Sequence, residues 1–151
     1  MLLCGKTKEV QKMEDRAEKA KKLFKNGYNC SQSVFTAFAD LYNIDEEKAL
    51  KLATPFGGGY AGRRVICGAV SAMAMIAGLE EDSSTPHDKE GRTENYEKVN
   101  HLMDKVKERY GSVLCKHLKG LEKTDPPINR IDCSECVHFC AKLIDESFFK
   151  K

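Results

Sequence analysis

The segment that most constrains the fold is RVICGAVSAMAMIAGL at positions 64–79, which is apolar on almost every side. A surface helix shows polar residues along one face, whereas a helix that is apolar all round is buried by its neighbours. The run from Val65 to Leu79 is too short for a transmembrane helix, which needs about 20 residues. Small residues recur along the segment and let neighbouring helices approach closely: Gly68, Ala69, Ser71, Ala72, Ala74 and Ala77. The sequence therefore predicts a central, buried helix.

Helical periodicity predicts six further helices around this segment. They cover, in chain order, residues 8–25, 30–42, 45–53, 94–110, 113–119 and 133–149. No alternating pattern typical of a half-buried strand is found. We therefore predict an all-α fold, a compact single-domain bundle of six to seven helices over residues 1–151. Within it, residues 1–10 are expected to be flexible and residues 80–93 to form a surface loop.

Charge and cysteine content narrow the function classes. Lys and Arg number 25 against 23 Asp and Glu, so the net charge of +2 indicates neither a nucleic-acid partner nor an anionic membrane. No secretory signal is recognisable, and we expect a cytoplasmic location. Cytoplasmic thiols are normally kept reduced. The 7 cysteines therefore favour metal or redox chemistry over structural disulfides.

Four widely separated cysteines are predicted to lie at or near the first turns of helices. Helix N-termini carry unpaired N–H groups and a partial positive charge, and both stabilise a thiolate. The predicted N-cap residues are Asn29, Ser112 and Asp132, and the four cysteines are Cys30, Cys67, Cys115 and Cys133. We predict that the four sulfurs converge on one electropositive site. Packing alone is the alternative for any single cysteine, since free cysteine is often buried.

Residues around Cys67 are predicted to support that site. Glycines let backbone N–H groups approach an anion closely, and arginines add positive charge. The residues expected to contact a bound cofactor are Gly57, Gly58, Gly59, Arg63, Arg64 and Gly68. We expect Cys136 and Cys140 to pack on the apolar face of the last helix, and Cys4 to have no role.

Four segments together resemble the C_GCAxxG_C_C family, whose members are small bacterial and archaeal proteins predicted to be redox-active or metal-binding. The segments are GYNCSQSVFTAF, FGGGYAGRRVICGAVSAMAMIAGL, YGSVLCKHLKG and CSECVHFCAKLI. The resemblance implies that the motif cysteines are Cys30, Cys67, Cys115 and Cys133. It also implies that Gly57–Gly59, Gly68 and Ala69 form the glycine-rich core. The order Cys67-Gly68-Ala69 departs from the Gly-Cys-Ala of the motif, and Ala72 replaces its last glycine.

Two redox chemistries remain open at this point. In the first, the four cysteines bind an iron–sulfur cluster or another soft metal for electron transfer. In the second, Cys67 and Cys30 cycle between dithiol and disulfide without a metal. A structural protein whose cysteines only pack, and a non-redox enzyme with Cys67 as nucleophile, are the further alternatives. The expected partners are a redox protein and, as an option left open, a second copy of the chain in a homodimer.

Overall fold

A computed structural model describes residues 15–81 and 83–149 of the chain. The predicted all-α fold is confirmed, because the only β feature in these two stretches is an isolated bridge between Ile66 and Leu114. The predicted flexible segment 1–10 lies outside them. The helices are α1 (Arg16–Lys25), α2 (Cys30–Ala39), α3 (Glu46–Ala53), α4 (Gly68–Glu80), α5 (Lys89–Tyr110), α6 (Cys115–Leu118) and α7 (Cys133–Ile144), with 3₁₀ turns at Asp40–Tyr42 and Thr54–Phe56 and a π-helical turn at Asp145–Phe149.

Helix α4 lies in the middle of the bundle, as its composition predicts. It packs against α2, α5 and α7, while α1 lies across α2 and α7. Met73 and Ile76 of α4 are fully buried beside Phe38 of α2, Leu102 of α5 and Ile144 of α7 in one hydrophobic core. No helix within the described part of the chain is long and apolar enough to cross a membrane.

A buried arginine fixes α1 against the end of α2. The Arg16 guanidinium donates hydrogen bonds to the carbonyl of Ala37 at 2.7 Å and to the carboxylate of Asp40 at 2.6 Å. On the opposite side, the Lys21 ammonium contacts the Glu135 carboxylate of α7 at 2.7 Å. These contacts hold together α1, α2 and α7, of which the last two begin with a cysteine.

Helices α4 and α5 begin four or five residues away from their predicted starts. Helix α4 begins at Gly68 rather than near position 64, because Arg64 adopts a left-handed φ of 60° and Ile66 pairs with Leu114. Cys67 is therefore the N-cap residue of α4 rather than part of its first turn. Helix α5 begins at Lys89 instead of near position 94, so the loop between α4 and α5 is shorter than predicted.

The remaining boundary differences concern the ends of α2 and α7 and the start of α6. Helix α2 ends at Ala39, and the predicted extension to residue 42 is a 3₁₀ turn. Helix α6 begins at Cys115 with Leu114 as its N-cap, so the prediction of Ser112 as the cap was wrong. The Ser112 hydroxyl instead accepts a hydrogen bond from the Leu114 N–H at 3.0 Å, one residue before the helix. Helix α7 ends at Ile144, before its π-helical extension.

Candidate functional site

Five cysteines line one cavity at the meeting point of α2, α4, α6 and α7. The cavity has a volume of about 150 Å³. Its cysteines are Cys30, Cys67, Cys115, Cys133 and Cys136, and its other lining residues are Phe24, Asn29, Gly58, Gly59, Arg64, Gly68, Leu118, Lys119 and Ile131. All six cysteines within the described ranges are free thiols. The structure thus brings together the four cysteines singled out in the sequence and adds a fifth.

Two of the cysteines are the first residues of capped helices. The Asn29 side chain accepts a hydrogen bond from the Gln32 N–H at 2.8 Å, and the Gln32 side chain accepts one from the Asn29 N–H at 3.0 Å. This capping box fixes the start of α2 and with it Cys30. On α7, the Asp132 carboxylate accepts a hydrogen bond from the Ser134 N–H at 2.9 Å, immediately beside Cys133. Both predicted caps are confirmed.

The isolated bridge positions the other two predicted cysteines. The Cys67 N–H donates to the carbonyl of Val113 at 2.9 Å, and the Cys115 N–H donates to the carbonyl of Val65 at 2.6 Å. The glycine loop packs tightly beneath this bridge. Gly59 has a φ of +71°, and a Cβ placed there would lie 2.6 Å from the Cβ of Cys115. Only glycine combines this backbone conformation with so close an approach.

A second glycine brings Cys67 to Cys30. A Cβ at Gly68 would lie 3.0 Å from the carbonyl oxygen of Phe56, 3.1 Å from the backbone nitrogen of Ser31 and 3.4 Å from the Cβ of Cys30. The start of α4 therefore packs directly on the start of α2. Because Cys67 precedes Gly68, this close packing places its thiol in the same cavity as that of Cys30.

Cys30 and Cys133 are both half-buried thiols of this cavity that shift each other's pKa, and we call them the outer pair. The hydrogen bond from Cys30 lowers the pKa of Cys133 to about 6, although burial opposes this, and the charges of Lys119 and Arg130 lower it further. The same hydrogen bond and burial raise the pKa of Cys30. The pair therefore loses its first proton at Cys133 and retains the second on Cys30.

Cys67, Cys136 and Cys140 form a buried chain of sulfurs, which we call the inner thiols. A hydrogen bond with Cys136 and burial raise the pKa of Cys67, against the opposing effect of the Ala69 and Val70 N–H groups. The hydrogen bond with Cys140 and burial raise the pKa of Cys136, whereas its contact with Cys67 acts in the opposite direction. At Cys140 the hydrogen bond with Cys136 lowers the pKa, but burial and neighbouring thiols outweigh it and the net change is upward. The inner thiols are thus held protonated.

Positive charge lines the cavity beside Cys115. The Arg64 guanidinium donates to the Sγ of Cys115 at 3.6 Å, within the range of a hydrogen bond to sulfur. Lys119 is a second cation in the lining, and no acidic residue occurs among the lining residues within the described ranges. The cavity therefore favours an anionic ligand or a thiolate.

Several predicted residues occupy other positions. Gly57 and Arg63 are not among the residues that line the cavity, and a Cβ at Gly57 would clash with the side chain of Asn29. Arg63 is exposed, and Arg64 contacts Cys115 rather than Cys67. Cys4 lies outside the described residues.

Cys136 is the site residue that the sequence analysis missed. It was expected only to pack, yet it lines the cavity beside Cys67. Its spacing of three from Cys133 places both sulfurs on one face of α7, one turn apart. The Cys-x-x-Cys pattern was therefore the available signal.

The cavity thiols are of a chemical type that could bind a metal, but their grouping is not that of a metal site. Thiolate sulfurs suit a soft metal or an iron–sulfur cluster, and five of them surround this cavity. Across residues 15–81 and 83–149, however, no three His, Cys, Asp or Glu side chains are grouped so that they could hold a metal ion. The thiols that line the cavity are therefore not grouped as a metal centre.

Comparison with known proteins identifies a family. The family model described as "Putative redox-active protein (C_GCAxxG_C_C)" matches residues 28–147, which include all the cysteines of the cavity. The resemblance drawn from the sequence is confirmed by this match. No curated protein and no solved structure matches the chain significantly.

Proposed function

Because this chain belongs to the C_GCAxxG_C_C family, we propose that it is a thiol–disulfide redox protein whose reactive dithiol is the outer pair, Cys30 and Cys133. The observation that carries this proposal is that these two thiols line one cavity, each at the first residue of a capped helix, and that each shifts the pKa of the other. A dithiol of this kind needs adjacent sulfurs, one of them ionised, and access to a substrate.

Cys133 is the nucleophile in this proposal. With a pKa lowered to about 6 by the hydrogen bond from Cys30, it is mostly thiolate at neutral pH. It attacks one sulfur of a substrate disulfide, forms a mixed disulfide and releases the other substrate sulfur as a thiol. Cys30 then attacks Cys133, forms the Cys30–Cys133 disulfide and releases the second substrate thiol. The substrate gains two electrons from the outer pair and two protons, of which one comes from Cys30 and the other from solvent, because Cys133 is already ionised.

This pairing replaces the one considered from the sequence. In the dithiol alternative drawn from the sequence the partners were Cys67 and Cys30, whereas the thiol that most affects the pKa of Cys30 is Cys133 and the one that most affects Cys67 is Cys136. The charges around Cys133 also support its role, because Lys119 and Arg130 favour the thiolate both before attack and as a leaving group, although the Asp132 carboxylate opposes them.

Binding of an iron–sulfur cluster or a soft metal is the second candidate, favoured by the five cysteines that share the cavity. Cys30, Cys67, Cys115 and Cys133 would be the ligands, and the bound group would supply one-electron transfer. The grouping of the side chains argues against it, since no set of three thiols is arranged for a metal within the residues the structure describes.

Disulfide mapping against metal analysis distinguishes the two candidates. The reduced chain, prepared without oxygen, is equilibrated in dithiothreitol redox buffers, and its thiols are then alkylated and mapped by mass spectrometry. We expect a reversible Cys30–Cys133 disulfide, lost in Cys30→Ala and Cys133→Ala but retained in Cys115→Ala, the control from the same cavity. Stoichiometric iron or zinc in the anaerobic protein, without a Cys30–Cys133 disulfide in any buffer, would overturn the dithiol proposal.

A further inference from the structure

We propose that Cys67 and Cys136 form a second, buried redox pair that receives the disulfide from the outer pair by intramolecular exchange. The inference rests on the proposed function, because the outer pair must first be oxidised by a substrate. It assigns a chemical role to Cys136, which the sequence analysis treated as a packing residue.

The contacts of Cys67 and Cys136 support this second pair. Both thiols line the cavity that the outer pair lines, and each shifts the pKa of the other. Gly68 leaves no space for a side chain between the start of α4 and Cys30. Cys136 follows Cys133 by one turn of α7, on the same face. Cys67 is thus a neighbour of Cys30, and Cys136 is a neighbour of Cys133.

The exchange needs two substitutions at sulfur. First, Cys67 loses its proton to solvent and its thiolate attacks the Sγ of Cys30 in the Cys30–Cys133 disulfide, so a Cys67–Cys30 bond forms and Cys133 leaves as a thiolate. Second, Cys136 loses its proton and attacks Cys67, so a Cys67–Cys136 bond forms and Cys30 leaves and takes up a proton. Of the two protons given up by Cys67 and Cys136, one is thus held by Cys30 and the other is released to solvent, because Cys133 stays mostly thiolate at neutral pH. No external oxidant or reductant enters.

The surroundings favour this direction of attack. Cys133 is the better leaving group of the outer pair, because Cys30, Lys119 and Arg130 stabilise its thiolate and a stabilised thiolate leaves faster. The N–H groups of Ala69 and Val70 face the attacking sulfur of Cys67 at the start of α4. After exchange, the disulfide is buried and the outer pair is reduced again. One reduced chain would therefore reduce two substrate disulfides in sequence rather than one.

Cys140 provides a matched control for Cys136. Both are buried cysteines of α7 and they are hydrogen-bonded to each other, but Cys140 is not among the residues that line the cavity. Replacement of either by alanine removes one buried sulfur. Only replacement of Cys136 removes a partner in the proposed exchange.

The test is a time course of oxidation of the full chain carrying Cys4→Ser. The reduced protein is mixed with excess oxidised glutathione, samples are quenched with acid and alkylated, and disulfides are assigned by fragmentation of the peptides. We expect the Cys30–Cys133 disulfide to appear first and the Cys67–Cys136 disulfide to follow, with two disulfides per chain at the end. Cys140→Ala should reach the same end point, whereas Cys136→Ala and Cys67→Ala should stop at one.

Each outcome separates the two proposals. A single Cys30–Cys133 disulfide at the end of the time course in the unsubstituted cavity would overturn the inner pair and leave the proposed function intact. Absence of a Cys30–Cys133 disulfide in Cys136→Ala, with circular dichroism showing a folded helical protein, would overturn the proposed function itself. The order in which the two disulfides form is measured in the chain that carries only Cys4→Ser. The inference therefore stays testable even if a cavity variant fails to fold.

Discussion

Cys133 of the outer pair and Cys67 of the inner thiols are the same kind of side chain and line the same cavity, yet they differ in protonation. Cys133 begins a helix, is half-buried and has cations nearby, and its pKa falls to about 6. Cys67 adjoins a helix start too, but it is buried and its pKa rises. A helix N-terminus therefore does not by itself make a reactive thiolate. Solvation and the direction of the neighbouring thiol hydrogen bond decide the outcome.

The sharpest test of this comparison is the rate of alkylation at pH 7. We expect iodoacetamide to modify Cys133 about 100-fold faster than Cys140, since Cys133 is mostly thiolate and half-buried, whereas Cys140 is protonated, fully buried and away from the cavity. Timed labelling with peptide mass spectrometry measures both rates in one sample. Equal rates at the two positions would contradict the distinction between outer and inner sulfurs.

Substitution of Gly68 tests the close packing of α4 on α2, which brings the inner thiol Cys67 to Cys30 of the outer pair. Gly68→Ala places a methyl group 3.0 Å from the Phe56 carbonyl oxygen, and we expect a loss of about 1–3 kcal/mol in the free energy of unfolding. Gly78→Ala is the matched control in the same helix, because its Cβ would meet nothing within 4 Å. It should stabilise the protein by about 0.5–1 kcal/mol. Urea denaturation measures the free energy of unfolding of both variants. Equal changes would show that the backbone at Gly68 is not too closely packed to accept a methyl group.

Removal of the hydrogen bond within the outer pair should make Cys133 resemble an ordinary thiol. In Cys30→Ala the thiolate loses a donor worth about 1.5–3 kcal/mol, so the pKa of Cys133 should rise by about 1–2 units. The midpoint of the alkylation rate against pH should move upward from near 6 by that amount. Cys30→Ser keeps a donor and should shift the midpoint less. An unchanged midpoint in both variants would assign the low pKa to the cations alone.

The smallest effect is expected from Lys119. Lys119→Gln removes one charge near Cys133 and should raise its pKa by a few tenths of a unit, about the strength of a partly screened ion pair. Lys51→Gln on α3 is the control, since Lys51 pairs with Glu47 and does not line the cavity. The same alkylation profile at low and high salt measures the difference. A shift as large as that of Cys30→Ala would mean that charge outweighs the thiol hydrogen bond.

Much of this site could be predicted from local sequence signals. Asn29 with Gln32, and Asp132 with its cysteine, are caps that a sequence pattern identifies because the interacting groups are within three residues. The central position of α4 followed from its composition in the same way. Convergence of the four cysteines was predicted from their shared helix-start context, and all four line the cavity.

The remainder depends on contacts between distant segments. The bridge between Ile66 and Leu114 moves the start of α4 to Gly68, and no local pattern indicates a pairing of only one residue on each side. The thiol partners depend equally on how α2, α4 and α7 pack. Spacing showed Cys136 and Cys133 on one face, but only the tertiary structure puts Cys136 beside Cys67.

The separation of the cysteines along the chain gives the redox site a mechanical consequence. A bond between Cys30 and Cys133 would close a loop of about 100 residues, for which chain entropy alone predicts a stabilisation of ~4.7 kcal/mol. Oxidation would thus crosslink the start of α2 to the start of α7, and reduction would remove the crosslink. The melting temperature of the protein would then report the redox poise of its surroundings.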